Sequence, residues 1–458
     1  MAGQICLMLK MNVVLLSGGS GKLLWPLSND VRSKQFIRLF RRDMEAGLEK
    51  GADGDGGYES MMQRVFRQVR RVAPEARVTA VSAKSQVSAI RNQLGGDVGI
   101  CVEPCRRDTF PAVVLATAYL HDVLRVSLDE AVVVCPVDPY TDGSYYAALK
   151  QVYDLAARGD CSLTLLGVEP TYPSSLYGYI VPETAEKVSR VRSFKEKPSE
   201  AVAEECIRSG ALWNGGVFGC RLGYVLDKAR ELLDFTDYDD LFARYESLAK
   251  ISFDYAVAEH ELSCQVVRYR GKWLDIGTWN ALTEVMSERV IGKAMLNDGC
   301  ENVHVLNELD MPILCMGLKN AVVSASPAGI LVADKRASSY IQPFVEKFAG
   351  EVMFAEKSWG EYRVIDIGED SLTAKIVIHA GQRMNYHSHE HRDEVWTVVT
   401  GEGVVVVDGL EQEVRDGDVI TMEAGCRHTV IAKTELKLIE VQLGKAISVH
   451  DKQKFSRE

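Results

Sequence analysis

The sequence lacks several features that would place it in a special class of protein. Its eleven cysteines are odd in number and form no CxxC pair, which argues against a disulfide framework and against a zinc knuckle. No apolar run approaches the ~20 residues that span a bilayer. Lys10 interrupts the apolar stretch near the start, and no small-residue cleavage site follows, so we expect no signal peptide. These absences favour a cytoplasmic protein without a membrane partner.

Basic residues are also in short supply. The chain has 53 Lys and Arg against 64 Asp and Glu, a net charge of −11, so it lacks the basic footprint of a nucleic-acid binder. A polyanionic nucleotide would have to be bound by local lysines, backbone amides and a divalent cation. The 458 residues, 47% of them hydrophobic, are typical of a globular protein that is too long for one core.

The first part of the chain alternates short apolar runs with longer helical patterns. Strands are predicted at 12–16, 78–81 and 131–135, with a helix over 110–124. This alternation predicts an α/β domain built on a mostly parallel sheet. Ligands of such sheets bind beyond the carboxyl ends of the strands, so the loops after Leu16 and Cys135 are the predicted binding region.

The rest of the chain is predicted to be β-rich. Short strands at 321–323 and 329–333 form a short linker, and after Trp359 strands alternate with Asp-Gly turns at 408–409 and 416–417. The last hundred residues therefore predict a small all-β barrel. The boundaries we predict are 11–292 for the α/β domain, 293–350 for the linker and 351–458 for the barrel.

A glycine-rich loop directly follows the first predicted strand. Its backbone N–H groups, in Ser17-Gly18-Gly19-Ser20-Gly21-Lys22, could contact phosphate oxygens. The spacing is not that of a P-loop, because Leu16 stands where a glycine is needed and Leu23 where a Ser or Thr is needed. From spacing alone, a phosphate loop and a plain tight turn are equally good interpretations.

The continuation of this loop resembles the sugar-phosphate nucleotidyltransferases, and specifically the mannose-1-phosphate guanylyltransferases. Similar blocks recur in order over essentially the whole chain from Met11. They are Gly18-Gly19-Ser20-Gly21-Lys22-Leu23-Leu24-Trp25-Pro26, Ser33-Lys34-Gln35-Phe36, Glu103-Pro104 with Arg107, Pro136-Val137-Asp138, Tyr177-Gly178-Tyr179, Glu196-Lys197-Pro198, Trp213-Asn214-Gly215-Gly216, Phe253-Asp254-Tyr255 and Trp273-Leu274-Asp275-Ile276-Gly277.

The resemblance implies a Rossmann-like nucleotidyltransferase domain that transfers GMP from GTP to mannose 1-phosphate. The products are GDP-mannose and pyrophosphate, and the reaction is an in-line attack of a sugar-phosphate oxygen on the α-phosphorus. In such a reaction the protein mainly positions the reactants and neutralises charge. Mg²⁺, a hard cation that takes carboxylate oxygens, is the implied cofactor.

The resemblance also implies roles for individual residues. Asp138 and Asp275 would hold Mg²⁺, and Lys22 and Lys34 would offset phosphate charge. The other two sets are the nucleotide-binding residues Ser17, Gly18, Gly19, Ser20, Gly21 and Arg107, and the sugar-phosphate-binding residues Tyr177, Gly178, Glu196, Lys197 and Asn214. From residue type alone, Asp138 could be only a helix cap, and Glu196-Lys197 only a solvated charge pair.

One position departs from the family pattern. The family carries Arg directly before Leu-Trp-Pro, where this sequence has Leu23, which offers neither charge nor a donor. A weakly active regulatory nucleotide-binding protein is therefore an alternative to an active enzyme.

The barrel carries a histidine pattern that matches the first cupin motif and most of the second. His387 and His389 are two residues apart, so in a strand they point to one face. With Glu394 and His428 they form a set suited to Zn²⁺ or a similar transition metal. The alternative is a metal-free barrel whose inward histidines are satisfied by hydrogen bonds.

Three further blocks in the barrel are Lys357-Ser358-Trp359-Gly360-Glu361-Tyr362-Arg363, His391-Arg392-Asp393-Glu394-Val395-Trp396 and Ile439-Glu440-Val441-Gln442. They resemble the type II phosphomannose isomerase domain that many guanylyltransferases carry at the C-terminus. A bifunctional enzyme is therefore a further alternative. Two positions depart from that pattern, since His387 replaces a Gln ligand and Thr429 replaces an Arg that follows the last histidine. The barrel could instead serve as a sensing or dimer-forming module, so a homodimer is a possible partner arrangement.

Overall fold

The computed structural model of the chain describes residues 10–19, 21–29, 32–42, 57–348, 353–445, 447–448 and 451–455. It divides into two compact units. The first comprises Met1–Gly19 and Arg38–Ile276, and the second comprises Ser20–Ile37 and Gly277–Glu458. Among the described helices, none combines the length and the apolar character that crossing a membrane requires.

The described part of the first unit contains strands β1 to β13 and helices α1 to α7. The strands are β1 Asn12–Leu16, β2 Phe40–Arg41, β3 Tyr58–Glu59, β4 Arg77–Ala83, β5 Gly99–Glu103, β6 Ala131–Pro136, β7 Pro139–Thr141, β8 Leu163–Val168, β9 Tyr179–Pro182, β10 Val188–Lys195, β11 Leu212–Arg221, β12 Cys264–Tyr269 and β13 Trp273–Asp275. The helices are α1 Met61–Val72, α2 Val87–Leu94, α3 Thr109–Ala118, α4 Gly143–Arg158, α5 Glu200–Arg208, α6 Leu222–Leu232 and α7 Tyr238–Arg244.

The strands predicted at 12–16, 78–81 and 131–135 are confirmed as β1, β4 and β6. The predicted helix over 110–124 is confirmed as α3 and its continuation, a π-helical turn over Tyr119–Val123. The Asp108 side chain caps α3 by accepting the Thr109 N–H at 2.8 Å. Residues from Phe110 to Ala118 are all buried, which explains why the sequence shows an apolar run without a polar face.

Nine strands form one sheet in the order β5-β4-β1-β6-β11-β8-β12-β10-β9. The first four are parallel, so the loops after β1 and β6 lie at the same edge. The prediction of a mostly parallel sheet agrees with this half, and in the other half β8 and β12 pair in parallel while β11 and β10 run antiparallel to their neighbours. Strands buried on both faces are continuous apolar runs in either direction, so the pattern carries no information on strand direction.

The described part of the second unit is β-rich, with two short helices, α8 Trp279–Val285 and α9 Gln342–Val345. Its first strands are β14 Val290–Ile291, β15 Ala294–Leu296, β16 His304–Asn307, β17 Ile313–Cys315, β18 Ala321–Ser326 and β19 Gly329–Asp334. Strands β14, β16 and β18 pair in parallel, and β19 adds an antiparallel edge. The strands predicted at 321–323 and 329–333 are confirmed as β18 and β19.

The remaining strands form the predicted barrel. They are β20 Phe354–Lys357, β21 Gly360–Ile367, β22 Ser371–Ile378, β23 His387–Ser388, β24 Asp393–Thr400, β25 Gly403–Val407, β26 Leu410–Val414, β27 Val419–Met422, β28 His428–Ala432, β29 Leu436–Leu443 and β30 Gln453–Lys454. A six-stranded sheet, β20-β21-β22-β29-β24-β27, and a five-stranded sheet, β26-β25-β28-β23-β30, make up its walls. Asp408 and Gly409 both have positive φ and join β25 to β26, as an Asp-Gly hairpin turn requires.

Candidate functional sites

The glycine loop begins where β1 ends. The Ser17 N–H donates to the Val81 carbonyl at 3.1 Å, and the buried Ser17 hydroxyl lies 3.4 Å from Gln86 Oε1. A side chain at Gly18 would contact the Glu103 carboxylate, since an added Cβ would lie 3.6 Å from Glu103 Oε2. Burial raises the pKa of Glu103, and the Tyr245 hydroxyl donates to Glu103 Oε1 at 2.7 Å. This carboxyl group therefore borders the loop.

Two arginines near the loop differ in their contacts. Arg107, which the sequence places in the nucleotide site, donates to the Glu246 carbonyl. Arg106 instead donates to the Gly19 carbonyl at 3.3 Å. Among the described residues of the loop, Gly19 is therefore contacted by Arg106, which carried no separate signal in the sequence.

The remaining loop residues are described only in part. Ser20 lies outside the described residues. Gly21 and Lys22 belong to a short 3₁₀ helix, Gly21–Leu24, in the second unit. Lys34 begins another 3₁₀ helix, Lys34–Phe36, in the same unit.

The two predicted Mg²⁺ ligands are brought together by a strand pair. Asp138 lies between β6 and β7, and Asp275 ends β13. Strand β13 pairs antiparallel with β7, which places Asp275 opposite Pro139 and so beside Asp138. Asp275 is exposed and Asp138 half-buried, so the carboxylates of this pair are accessible. Two neighbouring aspartates with accessible side chains offer the oxygen ligands of a hard cation that retains water and phosphate ligands.

The predicted sugar-phosphate residues converge around Glu196. An added Cβ at Gly178 would collide with Glu196 Oε2 and would lie 3.3 Å from Asn214 Cβ. The Asn214 N–H donates to the Gly178 carbonyl at 2.8 Å, which holds β11 against the loop before β9. Lys197 Nζ lies 3.3 Å from Glu196 Oε1. Gly178, Glu196, Lys197 and Asn214 therefore lie close together in the first unit.

The structure adds Asp254 to this group. Asn214 Nδ2 donates to Asp254 Oδ1 at 2.6 Å, while Asn214 Oδ1 accepts the Gly216 N–H at 3.1 Å. Burial raises the pKa of Asp254, and burial together with the charge of Asp254 raises the pKa of Glu196. Asp254 lies in the Phe253-Asp254-Tyr255 block of the family resemblance, although the sequence alone did not predict it as a site residue.

Aromatic rings form one wall of the same region. The Tyr177 ring lies 5.0 Å from that of Trp213 and 5.3 Å from that of Trp273, centroid to centroid. Trp213 Nε1 donates to the Tyr179 hydroxyl at 3.1 Å. Trp273 and Asp275 are both on β13, so the strand that supplies a carboxylate also supplies a ring. Such a wall fits the apolar face of a sugar ring.

Glu196 has an unused acceptor. Its side chain is only 5% exposed, and its Oε2 has no hydrogen-bond partner among the described residues. A buried acceptor without a partner costs about 1–3 kcal/mol, so a ligand hydroxyl that donates to it is stabilised. The position is therefore suited to recognising a polyol.

The second site lies inside the barrel. His387 on β23 stands opposite His428 on β28 in the strand register. The possible ligand atoms of His387, His389 and His428 all lie within 4.8 Å of one another, and all three residues are buried. Glu394 on β24 joins them, with Oε1 at 3.1 Å from His389 Nε2 and Oε2 at 3.2 Å from His428 Nε2. The structure therefore brings the four predicted metal ligands together.

The hydrogen bonds of the histidines favour metal binding. Each Nδ1 faces a backbone carbonyl, that of Asn385 at 2.6 Å for His387, of Cys426 at 3.1 Å for His428, and of Asp451 for His389. A carbonyl only accepts, so Nδ1 carries the proton and Nε2 is left with its lone pair. Burial lowers the pKa of His389 to about 4, which keeps this ring neutral at pH 7.

Two buried atoms at this centre support the same interpretation. His428 Nε2 and Glu394 Oε2 face each other and have no hydrogen-bond partner among the described residues. Both are acceptors once Nδ1 of His428 is protonated, so a cation between them would satisfy both. The donor set of imidazoles and one carboxylate fits Zn²⁺ or a similar metal.

Arg392 was not predicted as a site residue, although it lies in the His391-Arg392-Asp393-Glu394 block. Its Nε donates to Glu394 Oε1 at 3.0 Å, and its other nitrogens contact His389 Nε2 and the Ser448 carbonyl. Thr429, which stands where the isomerase pattern has an Arg, is buried and donates to the Met384 carbonyl at 2.7 Å. Its hydroxyl is therefore engaged with the backbone.

Comparison with known proteins identifies related sequences. Residues 12–290 match the nucleotidyl transferase family, and residues 350–457 match the mannose-6-phosphate isomerase C-terminal family. The chain is 28% identical over 481 residues to the putative mannose-1-phosphate guanylyltransferase of Vibrio cholerae serotype O1, covering 96% of this chain and 98% of that protein. It is 27% identical over 492 residues to the mannose-1-phosphate guanylyltransferase of Escherichia coli K12, covering 98% of each.

A solved structure is also similar. The mannose-1-phosphate geranyltransferase of Thermus thermophilus, as that structure is described, has 28% sequence identity and a TM-score of 0.61, covering 75% of this chain and 100% of that chain. The fold class predicted from the sequence, an α/β nucleotidyltransferase domain with a β linker and a cupin barrel, is confirmed. Since the first family match spans more than half of its residues, the chain belongs to the nucleotidyl transferase family.

Proposed function

We propose that the chain transfers GMP from GTP to mannose 1-phosphate, forming GDP-mannose and releasing pyrophosphate. The observation that carries this proposal is the β7–β13 pairing, which sets Asp275 beside Asp138 at the edge where the loops after β1 and β6 lie. The names of the V. cholerae and E. coli relatives support the choice of base and sugar. The cluster around Glu196 supports a polyol acceptor.

Asp138 and Asp275 would hold Mg²⁺, which neutralises phosphate charge when bound. The loop amides around Gly18 and Gly19, with Ser17, would face the phosphates of GTP. For Ser20, Gly21, Lys22, Lys34 and Arg107, the proposed roles rest on the sequence resemblance. Arg106 joins the proposed nucleotide site because it contacts the Gly19 carbonyl.

The sugar phosphate would be bound at the Glu196 cluster. Glu196 Oε2 would accept a sugar hydroxyl, and Lys197, whose side chain is 54% exposed, would meet the phosphate. Gly178 leaves the space for this because any side chain there would displace the Glu196 carboxylate. Asn214 is oriented by Asp254 and by the Gly216 N–H.

The test is pyrophosphate release by the full-length chain from GTP, mannose 1-phosphate and MgCl₂. The four nucleoside triphosphates, each with a panel of hexose 1-phosphates, define base and sugar preference. Asp275→Asn should lower the rate by at least ~10²-fold, as loss of a preorganised electrostatic group does. The exposed Asp160→Asn serves as the matched control and should retain the rate. GTP binding without pyrophosphate release at any Mg²⁺ concentration would refute the proposal and favour a regulatory nucleotide-binding protein.

The barrel is proposed to be a metal-binding cupin, in which His387, His389, Glu394 and His428 would hold the ion. The convergence of these four side chains also favours a second candidate activity, interconversion of fructose 6-phosphate and mannose 6-phosphate. Against it stands Thr429, whose hydroxyl is bound to the Met384 carbonyl and which cannot bind a phosphate as Arg does. An assay for mannose 6-phosphate formation from fructose 6-phosphate, with added Zn²⁺ or Co²⁺, tests whether the barrel is an isomerase or only a metal-binding domain.

The proposed division of labour follows the predicted boundaries. Residues 11–292 would carry the transferase site, 293–350 would form the linker, and 351–458 would carry the metal centre. A homodimer and a cytoplasmic location complete the proposal. Sedimentation analysis tests the first, and cell fractionation tests the second.

A further inference from the structure

The last described residues of the chain form a strap along the histidine cluster. The C-terminal strap, residues 451–455, contains β30, which pairs with β23 and sets Lys454 opposite His387. The Phe455 N–H donates to the Tyr386 carbonyl at 2.9 Å, and the Arg427 guanidinium lies 4.2 Å from the Phe455 ring centroid. Residues 453–455 of the strap are therefore attached to the wall that carries His387.

Asp451 makes the most direct connection between the strap and the cluster. Its carbonyl faces His389 Nδ1. Its carboxylate accepts two N–H groups in the loop after His389, that of Glu390 on Oδ1 at 3.0 Å and that of His391 on Oδ2 at 3.1 Å. One residue thus holds both the ring of His389 and the backbone that follows it.

This arrangement sets His389 apart from the other two histidines. His387 and His428 bond the carbonyls of Asn385 and Cys426, each two residues earlier in the same segment, so these contacts form locally. His389 depends on a carbonyl 62 residues further along the chain. The tautomer that keeps the lone pair on Nε2, which faces Glu394 Oε1 at 3.1 Å and accepts from Arg392 at 3.0 Å, is therefore supported by the strap as well as by Arg392.

We propose that Asp451 is a positioning residue of the barrel's metal centre. Its carboxylate holds the strap against the Glu390-His391 backbone, and its carbonyl fixes His389 as the Nδ1–H tautomer with Nε2 directed at the cluster. The inference rests on the metal-binding role proposed above and adds that the centre is complete only when the end of the chain is docked. Outer-shell partners of this kind typically contribute 10- to 100-fold in metal affinity.

The first test is Co²⁺ titration of the full-length chain, followed by its visible absorption. Asp451→Ala should weaken Co²⁺ binding by about 10- to 100-fold. Both variants keep the backbone carbonyl, and Asp451→Asn also keeps one side-chain acceptor, so it should lose less. Asp416→Ala is the matched control, because Asp416 Oδ1 accepts the Gly401 N–H at 2.7 Å in another turn of the same barrel. Unchanged affinity in Asp451→Ala, or an equal loss in Asp416→Ala, would overturn the proposal.

The second test reads the tautomer directly and needs no metal. Imidazole ¹⁵N shifts of the metal-free chain should show His389 protonated at Nδ1, and Asp451→Ala should shift it toward a mixture of tautomers while His428 stays unchanged. An unaltered His389 in a folded Asp451→Ala chain would overturn the positioning role. If the unsubstituted chain binds no Co²⁺, the metal proposal fails by itself, and the ¹⁵N result still decides the role of Asp451.

Discussion

Position 23 is the point in the glycine-rich segment where the sequence departs from the guanylyltransferase pattern. The resemblance to the guanylyltransferases places an Arg at this position, and the chain has Leu23, a partly exposed residue in the 3₁₀ helix Gly21–Leu24. Neighbouring Lys22 is a flexible point charge that cannot reproduce the planar fork of a guanidinium. The proposed activity is therefore most sensitive to substitution here.

Leu23→Arg should raise the rate of GMP transfer, by up to ~10²-fold, because a preorganised cation near the phosphates stabilises the charge that develops in the transition state. Pyrophosphate release at saturating GTP and mannose 1-phosphate measures the effect. An unchanged rate in Leu23→Arg, combined with its loss in Lys22→Ala, would show that Lys22 already supplies this charge.

Glu196 allows a second residue-scale prediction. Glu196→Gln should raise the KM for mannose 1-phosphate by about 10- to 100-fold, because it replaces a charged acceptor by a neutral amide at a buried position. The KM for GTP should stay within twofold. Glu186→Gln, an exposed residue in the turn before β10, is the control. Equal effects on both substrates would assign Glu196 a structural role.

At the scale of elements, the pairing of short strands decides which of the proposed site residues lie close together. Strand β13 has only three residues, yet its pairing with β7 brings Asp275 to Asp138. Motif spacing places each aspartate after an apolar strand but leaves the pairing open, because contacts between distant segments have no local signature. In the same way, Asp254 reaches Asn214 only through the folded sheet.

A buried basic pair joins His304, at the start of β16, to Lys335, which directly follows β19. Lys335 Nζ donates to His304 Nδ1 at 2.9 Å and to Asn302 Oδ1 at 2.6 Å. Burial, and then the charge of Lys335, lowers the pKa of His304 from 6.5 to about 4. The neutral ring is thus the form that the fold accommodates.

A group whose pKa is depressed in the folded state stabilises the fold above its unfolded pKa and loses that contribution as pH falls. His304 should therefore lower the free energy of unfolding as pH drops from about 6.5 to 4, with a slope of up to ~1.4 kcal/mol per pH unit for one proton. His304→Asn retains an acceptor for Lys335 but does not titrate, so its stability should be flatter in this window. Urea unfolding at several pH values measures both chains, and parallel curves would contradict the assignment.

At the scale of the whole molecule, the two sets of proposed metal ligands belong to different parts of the chain. Asp138 and Asp275 belong to the first unit, whereas His387, His389, Glu394 and His428 belong to the second. The first set offers hard carboxylate oxygens, and the second offers imidazole nitrogens with one carboxylate. Mg²⁺ and Zn²⁺ are therefore expected to sort between them by ligand chemistry.

Because the two ligand sets belong to different units, we expect that transition-metal binding and GMP transfer can each be lost without the other. His428→Ala should remove the bound transition metal but leave Mg²⁺-dependent GMP transfer within about twofold. Asp275→Asn should abolish transfer while the transition-metal content stays near one ion per chain. Elemental analysis of the purified variants, alongside the pyrophosphate assay, provides the two readouts. Loss of both properties in either variant would show that the sites are coupled.

Several elements of secondary structure and the fold class could be predicted from the sequence. The periodicity of apolar residues located β1, β4, β6 and helix α3, and the Asp408-Gly409 turn located the β25–β26 hairpin, because these signals depend on neighbours in the chain. The spacing of His387 and His389 placed both on one face of a strand for the same reason. The resemblance of ordered blocks then predicted the fold class, which the family matches confirm.

Only the tertiary structure decided which distant residues meet. It set β11 antiparallel between β6 and β8, and it brought Asp275 close to Asp138 by strand pairing. It also formed the hydrogen bonds from Asn214 to Asp254 and from His389 to the Asp451 carbonyl. Local sequence determines whether a segment forms a helix or a strand, since that depends on side-chain period and turn residues. Partners across the fold are selected by how buried surfaces and hydrogen bonds are satisfied together, and a short stretch of sequence does not record that choice.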